Sequence, residues 1–528
     1  MGKRIAIILV LNLWLGLLPA SNDNPDTAMN WRIRQEATEN SQIMRLIHQL
    51  TDVLGPRLTG SPTFKAACEW AVGQLKLWGL QNAHTEPWDF GHYGWTNDSY
   101  SVRVVSPYRD LLDARVVAWT PSTKGLVKAE IVLITPPERP TAQGLETYLS
   151  GIKDKVAGKI VLAGAHQELP VAFNPPVKRR DDSELRSQYD PENPRPPRPQ
   201  KVPEAEANAA DKPLDPREVI EKMDGFLVAN GALAKVSDSG REHGQIGVFA
   251  NRTYNAARAV PGIVIRNEDY GRMCRLLADG SKIEMEIEIL NMIHEGQSAL
   301  NVVAEIPGTD RNAEVVMLGA HIDSWHAGAG ATDNATGVAV MMEATRILQK
   351  LGVKPRRTVR IALWGGEEQG LLGSKAYVRD HFGTFEEQKQ EYGSLTAYVN
   401  LDSGTGRIRG ASVFGPPESA AVLRAILRSF ADLGVVGVSA TQNRTYGGTD
   451  STCFSWAGLP AINLSQDPIE YQSHTWHTNL DTYERVLEGD LKQCAAVVAS
   501  LVYHLAMSEE GLPRFPATSM PPQSGSGT

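Results

Sequence analysis

The chain has 528 residues, of which 42% are hydrophobic and 22% charged; this globular balance excludes a disordered, fibrous or collagen-like chain. Its 53 basic and 61 acidic residues leave a formal charge of −8, which argues against nucleic acid as a partner, because phosphate binding rests on an excess of Lys and Arg. Cys68, Cys274, Cys453 and Cys494 are too few for a disulfide framework and lack metal-site spacing; at most they form one or two isolated bridges.

Lys3 and Arg4 open onto a mostly apolar run over residues 5–18, closed by Pro19-Ala20. That is the pattern of a secretory signal peptide over 1–20, and the run is shorter than the ~20 residues of a membrane-spanning helix. The expected protein is exported, periplasmic or extracellular, without stable membrane insertion; an uncleaved anchor is the competing reading. Residues 21–110 read as the first part of a larger domain. Ile43, Leu46, Ile47 and Leu50 recur at helical spacing, as do Trp70, Ala71, Leu75 and Leu77, with Gly55-Pro56-Arg57 as the break and a strand over 100–105.

Over 111–295, short Val/Ile runs at 131–134, 159–162, 225–229 and 262–265 alternate with Gly and Pro turns, predicting a small β-rich domain with one or two helices. Within it, 178–216 is charged, proline-rich and nearly free of aliphatics, which predicts an exposed, mobile loop. Over 296–510 strands alternate with helices: strands at 315–318, 360–364, 397–401 and 461–464, helices near 337–349, 371–379, 420–433 and 490–507. Strands that are apolar throughout predict an α/β fold, with a mostly parallel central sheet flanked by helices. Residues 511–528, dense in Pro, Ser and Gly, predict a disordered tail.

Ligands of open α/β sheets gather at the carboxyl ends of the strands, and those ends are rich here in carboxylate and imidazole. His321 and Asp323 follow the first strand. Asp333 and Asn334 lie in the Gly/Ala-rich loop before the next helix. Glu367 and Glu368 follow the second strand, Asp402 the third and His477 the fourth. Each has an ordinary explanation alone: a helix cap for Asp333 and Asn334, an acidic first turn for Glu367 and Glu368, an Asx-turn for Asp402, structural hydrogen bonding for the histidines. Together, carboxylates this close require a cation. Imidazole and carboxylate without thiolate select zinc. Five donors suit two Zn2+ ions sharing one carboxylate, and three carboxylates with one hydroxide neutralise two divalent cations. Glu367 is left over, where a general base for the attacking water belongs.

His321-Ile322-Asp323-Ser324-Trp325, Gly330-Ala331-Thr332-Asp333-Asn334, Trp364-Gly365-Gly366-Glu367-Glu368-Gln369-Gly370, Asn400-Leu401-Asp402 and His477-Thr478-Asn479-Leu480-Asp481-Thr482 together resemble the co-catalytic di-zinc exopeptidase family. It includes secreted bacterial leucyl-type aminopeptidases and glutamate carboxypeptidases, and Ser324-Trp325 with the Glu-Glu-Gln-Gly string looks closest to its carboxypeptidase Q-like branch. The resemblance spans about residues 51–503 and implies a zinc-exopeptidase α/β fold; the insertion at 111–295 resembles a protease-associated domain in general pattern. It implies His321 with Asp402 on one ion, His477 with Glu368 on the other, Asp333 as the bridge and Glu367 as the base. Asp323 would support His321 and Asp481 would support His477.

His474 is the alternative to His477, which the following Thr-x-x-Asp-Thr favours. Tyr446, in a loop where Ser451 replaces the family's usual His, is a candidate to steady the oxyanion; an ordinary loop tyrosine is the alternative. Peptides are the expected partners, and the oligomeric state stays open, a homodimer included. Amino- and carboxy-terminal specificity also stay open, with Arg444 a candidate carboxylate holder and Glu295 a candidate ammonium holder. Outside this chemistry, the alternatives are a non-catalytic binding ectodomain of the same fold and a two-metal phosphoesterase.

Overall fold

The computed structural model describes residues 25–189, 212–295 and 299–523. The signal-peptide reading of 1–20 lies outside these residues, as do the middle of the 178–216 loop and residues 524–528.

Eight strands form the central sheet: β1 (Gln81–Trp88), β2 (Ala299–Ile306), β3 (Arg311–His321), β4 (Arg357–Trp364), β5 (Leu395–Asn400), β6 (Ile408–Phe414), β7 (Gly437–Thr441) and β8 (Ala461–Gln466), in the spatial order β1-β2-β4-β3-β5-β8-β6-β7. The middle of the sheet is parallel, through β4-β3, β3-β5 and β5-β8. Antiparallel pairs lie towards either edge, at β1-β2, β2-β4 and β8-β6. Alternate residues feed opposite faces, as the period of a strand requires. Val316, Leu318 and Ala320 of β3 join the core under the helices Pro62–Leu77, Thr336–Lys350 and Glu488–Met507. Val315 and Met317 join Tyr377, Phe382 and Phe454 on the other face. This two-sided burial is what the uniformly apolar strands predict.

The helix Pro62–Leu77 shows how local chemistry sets the frame. Ser61 caps it by accepting the Phe64 N–H at 3.1 Å, Pro62 fits the first turn, and Phe64, Ala67, Cys68, Ala71 and Leu75 are its buried stripe.

The second sheet, also eight-stranded, runs Asp110–Leu111, Gly94–Ser106, Glu284–His294, Val127–Ile134, Ile160–Ala163, Ala234–Asp238, Gly262–Ile265, Ala114–Val116 in spatial order. Gly94–Ser106 pairs with Glu284–His294, so this unit begins near Gly94, and the boundary drawn at 110/111 falls inside it. The insertion leaves and rejoins the central sheet at adjacent points, since Trp88 at the end of β1 is the register partner of Ala299 at the start of β2.

Three further expectations are corrected. Residues 225–229 are no strand but the end of the helix Pro216–Ala229, set by a capping box between Asp215 and Glu218; a short apolar run does not distinguish the two states. The first end of the 178–216 loop is pinned rather than loose. The Ile469 N–H donates to the Lys178 carbonyl at 3.0 Å, Arg180 N–H to Asp467 at 3.0 Å, Arg179 pairs with Asp490, and Asp182 with the buried Arg409. The tail is docked as far as it is described: Leu512 is buried, the Ser419 hydroxyl donates to the Pro513 carbonyl at 2.7 Å, and Phe515 packs on Phe414. Its few apolar residues suffice because each meets a preformed surface. All four cysteines are free thiols. No helix among the described residues is long and apolar enough to cross a membrane.

Candidate metal centre

β3 ends on His321, the Gly365-Gly366 turn after β4 delivers Glu367 and Glu368, and Asp402 follows β5 after the single residue Leu401. Asp333 sits in the tight segment Ala331–Ala335 that opens the helix Thr336–Lys350, behind Gly330 in the left-handed conformation (φ 65°). His477 follows β8 and the turn Tyr471–Thr475, and it also adopts positive φ, 59°, a strained setting for a residue with a Cβ.

These segments converge. His321 Nε2 lies 3.2 Å from Asp333 Oδ1 and 3.4 Å from Asp402 Oδ1. His477 Nε2 lies 3.1 Å from Asp333 Oδ2 and 3.0 Å from Glu368 Oε2. Two three-donor groups result, His321-Asp333-Asp402 and Asp333-Glu368-His477, and each draws on a different oxygen of Asp333. His321 Nε2, Asp333 Oδ2, Glu368 Oε1 and Asp402 Oδ1 are buried without a hydrogen bond. Close approach without hydrogen-bond geometry means that the lone pairs aim at shared points, as the ligands of a cation do. The residues present therefore fit a two-ion centre.

The surroundings fix these donors. His321 Nδ1 lies 3.0 Å from the Asp323 carbonyl, an acceptor only, so Nδ1 carries the hydrogen and Nε2 is left as donor to a metal. The expected support of His321 by the Asp323 carboxylate is thus replaced by its backbone; the carboxylate stands 3.6 Å away. It accepts instead from the N–H groups of Glu367 (3.2 Å) and Glu368 (3.3 Å) and from the Thr59 hydroxyl (3.0 Å).

Asp481 departs likewise from its expected role beside His477. It accepts the Thr332 N–H at 2.6 Å, the Thr332 hydroxyl at 2.8 Å and the Asp333 N–H at 3.1 Å, and so holds the bridging residue. Arg57 is fully buried and donates to the carbonyls of Leu50, Gly55, Ile322, Ala329 and Gly330, tying the loops after β3 together. Burial lowers its pKa to about 10, against the pull of Asp481, Asp323 and Asp333. Nothing in the sequence singled Arg57 out beyond its place after Gly55-Pro56.

Without a cation, burial pushes Glu367 well above the carboxylate range; Asp402, Asp450 and Glu368 add to this while His321 opposes it. Burial also raises Glu368, to about 7, with Asp333 adding. Burial works to lower His477, but Glu368 and Asp333 outweigh it and raise the ring to about 10. The cavity at this centre is lined by Trp325, Gly328, Asp333, Glu368, His477 and Asp481, among others.

Of the remaining candidates, Glu367 belongs to neither group, and the charges of His321 and Asp402 from one and Glu368 from the other act on it. His474 pairs with the Ser473 hydroxyl at 2.7 Å and joins neither group. Tyr446 is 42% exposed, and its hydroxyl makes no hydrogen bond among the described residues. Arg444 is buried and already engaged with Glu386 and the Trp456 carbonyl, so it is no free carboxylate holder. Glu295 is exposed at the end of the strand Glu284–His294.

An α/β sheet with two donor groups sharing one carboxylate at its strand ends is the frame of a metal-dependent hydrolase. Residues 301–502 match the model of peptidase family M28, and the chain carries a domain of that family. Carboxypeptidase Q of Mus musculus is 31% identical over 255 residues, 48% of this chain and 52% of that protein. At that identity the chain spans about half the length of its relative. Carboxypeptidase Q of Homo sapiens is 27% identical over 470 residues, 88% of this chain and 85% of that protein. Among solved structures, a peptidase M28 precursor from Shewanella amazonensis superimposes with a TM-score of 0.65 at 23% identity, covering 93% of this chain and 98% of that one; this likeness is one of fold.

Proposed function

We propose that the chain is an exported exopeptidase that hydrolyses a terminal bond of peptides at a centre of two zinc ions. His321 and Asp402 hold one ion, Glu368 and His477 the other, and Asp333 both. The observation that carries this reading is the pair of three-donor groups on opposite oxygens of Asp333, with buried donor atoms facing each other unbonded. Bound there, the two ions would polarise the scissile carbonyl and lower the pKa of water to the neutral range.

The chain's own groups supply the rest. Glu367 takes a proton from the attacking water and hands it to the leaving amine. Asp323 holds the backbone of Glu367 and Glu368 as one unit, so that base and ligand keep a fixed offset. Asp481 and Arg57 hold the loops from which Asp333 and His321 project. The second sheet is read as a protease-associated domain on general pattern, and export rests on the residue 1–20 pattern.

The test pairs two substitutions with elemental analysis and a peptide assay. Glu367→Gln keeps its zinc and loses at least about 10²-fold in turnover; loss of metal in that variant would remove Glu367 as the base. Asp333→Ala lowers the content of both ions, and retention of two zincs would remove the bridge. A chelator abolishes activity and zinc restores it.

A further inference from the structure

The loop that carries His477 is gripped at both ends by the insertion. At its far end, the Asn479 N–H donates to the Ile246 carbonyl at 3.0 Å, the Ile246 N–H to Asn479 Oδ1 at 2.7 Å, and Gly247 bridges Thr478. At its near end, residues 178–182 cross from the insertion to the stretch that follows β8. The Ile469 N–H donates to the Lys178 carbonyl at 3.0 Å, and the Lys178 ammonium pairs with Glu470 at 2.7 Å. Between these grips lies the turn Tyr471–Thr475, closed by the His474 and Thr475 N–H groups on the Glu470 carbonyl. Ile469 and His477, on either side of it, both adopt positive φ, 47° and 59°. A β-branched residue rarely takes that conformation, and it persists only where neighbours over-determine it. At both ends a neighbour that fixes the backbone comes from the insertion.

Asp467 is the hub of the near grip. It is fully buried and accepts the Arg180 N–H at 3.0 Å, Arg409 at 2.9 Å, and Arg179 and Arg407 each at 3.2 Å. Burial works to raise its pKa, but the Arg180 N–H and the arginines outweigh it and lower it. Arg409, itself fully buried, also donates to the Arg180 carbonyl at 3.0 Å and pairs with Asp182. Asp182 begins the short helix Asp182–Gln188, whose Leu185 is buried, and Tyr189 follows. The Tyr189 ring occupies a slot beside two glycines that are register partners, Gly410 of β6 and Gly437 of β7. A Cβ on Gly410 would stand 2.6 Å from the ring, and one on Gly437 2.7 Å from Tyr189 Cβ. Two missing side chains on adjacent strands thus make room for one tyrosine of the insertion. None of residues 178–189 lines the cavity at the centre, so they reach it through the loop.

Resting on the two-ion reading above, we propose that residues 178–189 form a strap that positions His477. With Tyr189 in its socket and Asp467 bound, the start of the loop is fixed, and the ion held by Glu368 and His477 is bound more tightly for it. The physical ground is preorganisation: a loose loop must be ordered when the ion binds, and that entropy is subtracted from affinity. His321 and Asp402 follow β3 and β5 in the middle of the sheet, whereas the socket lies on its last two strands. The first ion is therefore held independently of the strap. Linkage makes the coupling reciprocal, so the second ion also tightens the strap.

Gly437→Val fills the socket on a strand that suits valine and lies outside the donor set. The full chain is followed by hydrogen exchange without metal and by zinc titration against a chromogenic chelator. In the zinc-free variant, exchange over 178–189 and 467–477 should quicken at least about 10-fold, with the helix Thr336–Lys350 unchanged. Of the two zinc affinities, one should fall about 10–100-fold while the other holds. In the wild type, saturating zinc should slow exchange over 178–189. Tyr189→Ala empties the socket without adding an atom; it should give the same losses, and it stands in should the valine variant not fold. Loop protection that survives release of the strap, a strap that stays protected in both variants, or equal loss of both ions overturns the inference. If the wild type binds fewer than two zincs, the two-ion reading falls, and exchange over 467–477 still decides whether the strap holds the loop.

Discussion

The central sheet and the inserted sheet are alike in size and unlike in how they meet the centre. On the central sheet every proposed ligand stands at a strand end or a tight turn and is held from behind. Asp323 accepts two backbone N–H groups, Asp481 three hydrogens, and Arg57 saturates five carbonyls. On the inserted sheet the ring that meets the centre, Phe249 at 5.3 Å from His477, lies on an irregular segment and is 37% exposed. The proposed ligands sit where the backbone is over-determined; the rim beside them sits where side chains retain freedom to meet a ligand.

If that division holds, substitutions in the central frame change stability and metal content, while those in the insertion act on the centre through the His477 loop alone. The sharpest attempt to break it is Arg57→Met. The substitution leaves five carbonyls without their donor, those of Leu50, Ile322 and Gly330 in buried contacts, and it should cost about 3–5 kcal/mol of unfolding free energy, read as a lower denaturant midpoint with unchanged slope. A loss below about 1 kcal/mol would mean that the loops after β3 stand unaided.

Next in size is Asp481→Asn, which keeps the shape but weakens its grip on the Thr332 and Asp333 N–H groups. About 10–100-fold weaker zinc binding is expected by competition with a chromogenic chelator, with little change in Tm.

The smallest effect per step is that of pH. In the metal-free centre His477 is raised to about 10 and Glu368 to about 7, so protons occupy the donors that zinc needs. Each proton displaced makes zinc affinity rise by about tenfold per pH unit below the pKa of its donor. Apparent affinity should therefore climb from pH 5 through neutrality, and flatten only as His477 deprotonates unaided. An affinity indifferent to pH between 6 and 8 would contradict a centre in which imidazole competes for protons.

The proposed ligands were legible in the sequence because strand ends in an α/β sheet converge by topology: once the apolar runs before His321, Glu368 and Asp402 are read as strands, their sequels must be neighbours. The pairing of donors followed from the motif resemblance, and the structure groups those side chains in the same way. The supporting residues were less legible. Asp323 and Asp481 stood out by spacing, yet what each carboxylate grips depends on turn geometry that spacing does not encode. Arg57 carries no local signature, since its partners are main-chain carbonyls up to 273 residues away. The strands β1, β2 and β6 escaped notice, although each is longer than β5 and β8, because none is set off by a helix on each side. The helix Pro216–Ala229 was obscured because its capping box lies at the end of a charged segment read as loop.

The register of Trp88 against Ala299 makes the whole second sheet topologically a bubble on a β-hairpin: about two hundred residues leave and return through one doorway. A tight two-residue turn would close that doorway without disturbing a single strand order. The central sheet and the inserted one are therefore separable in connectivity, and one insertion can replace another at the same two residues without rewiring the strands.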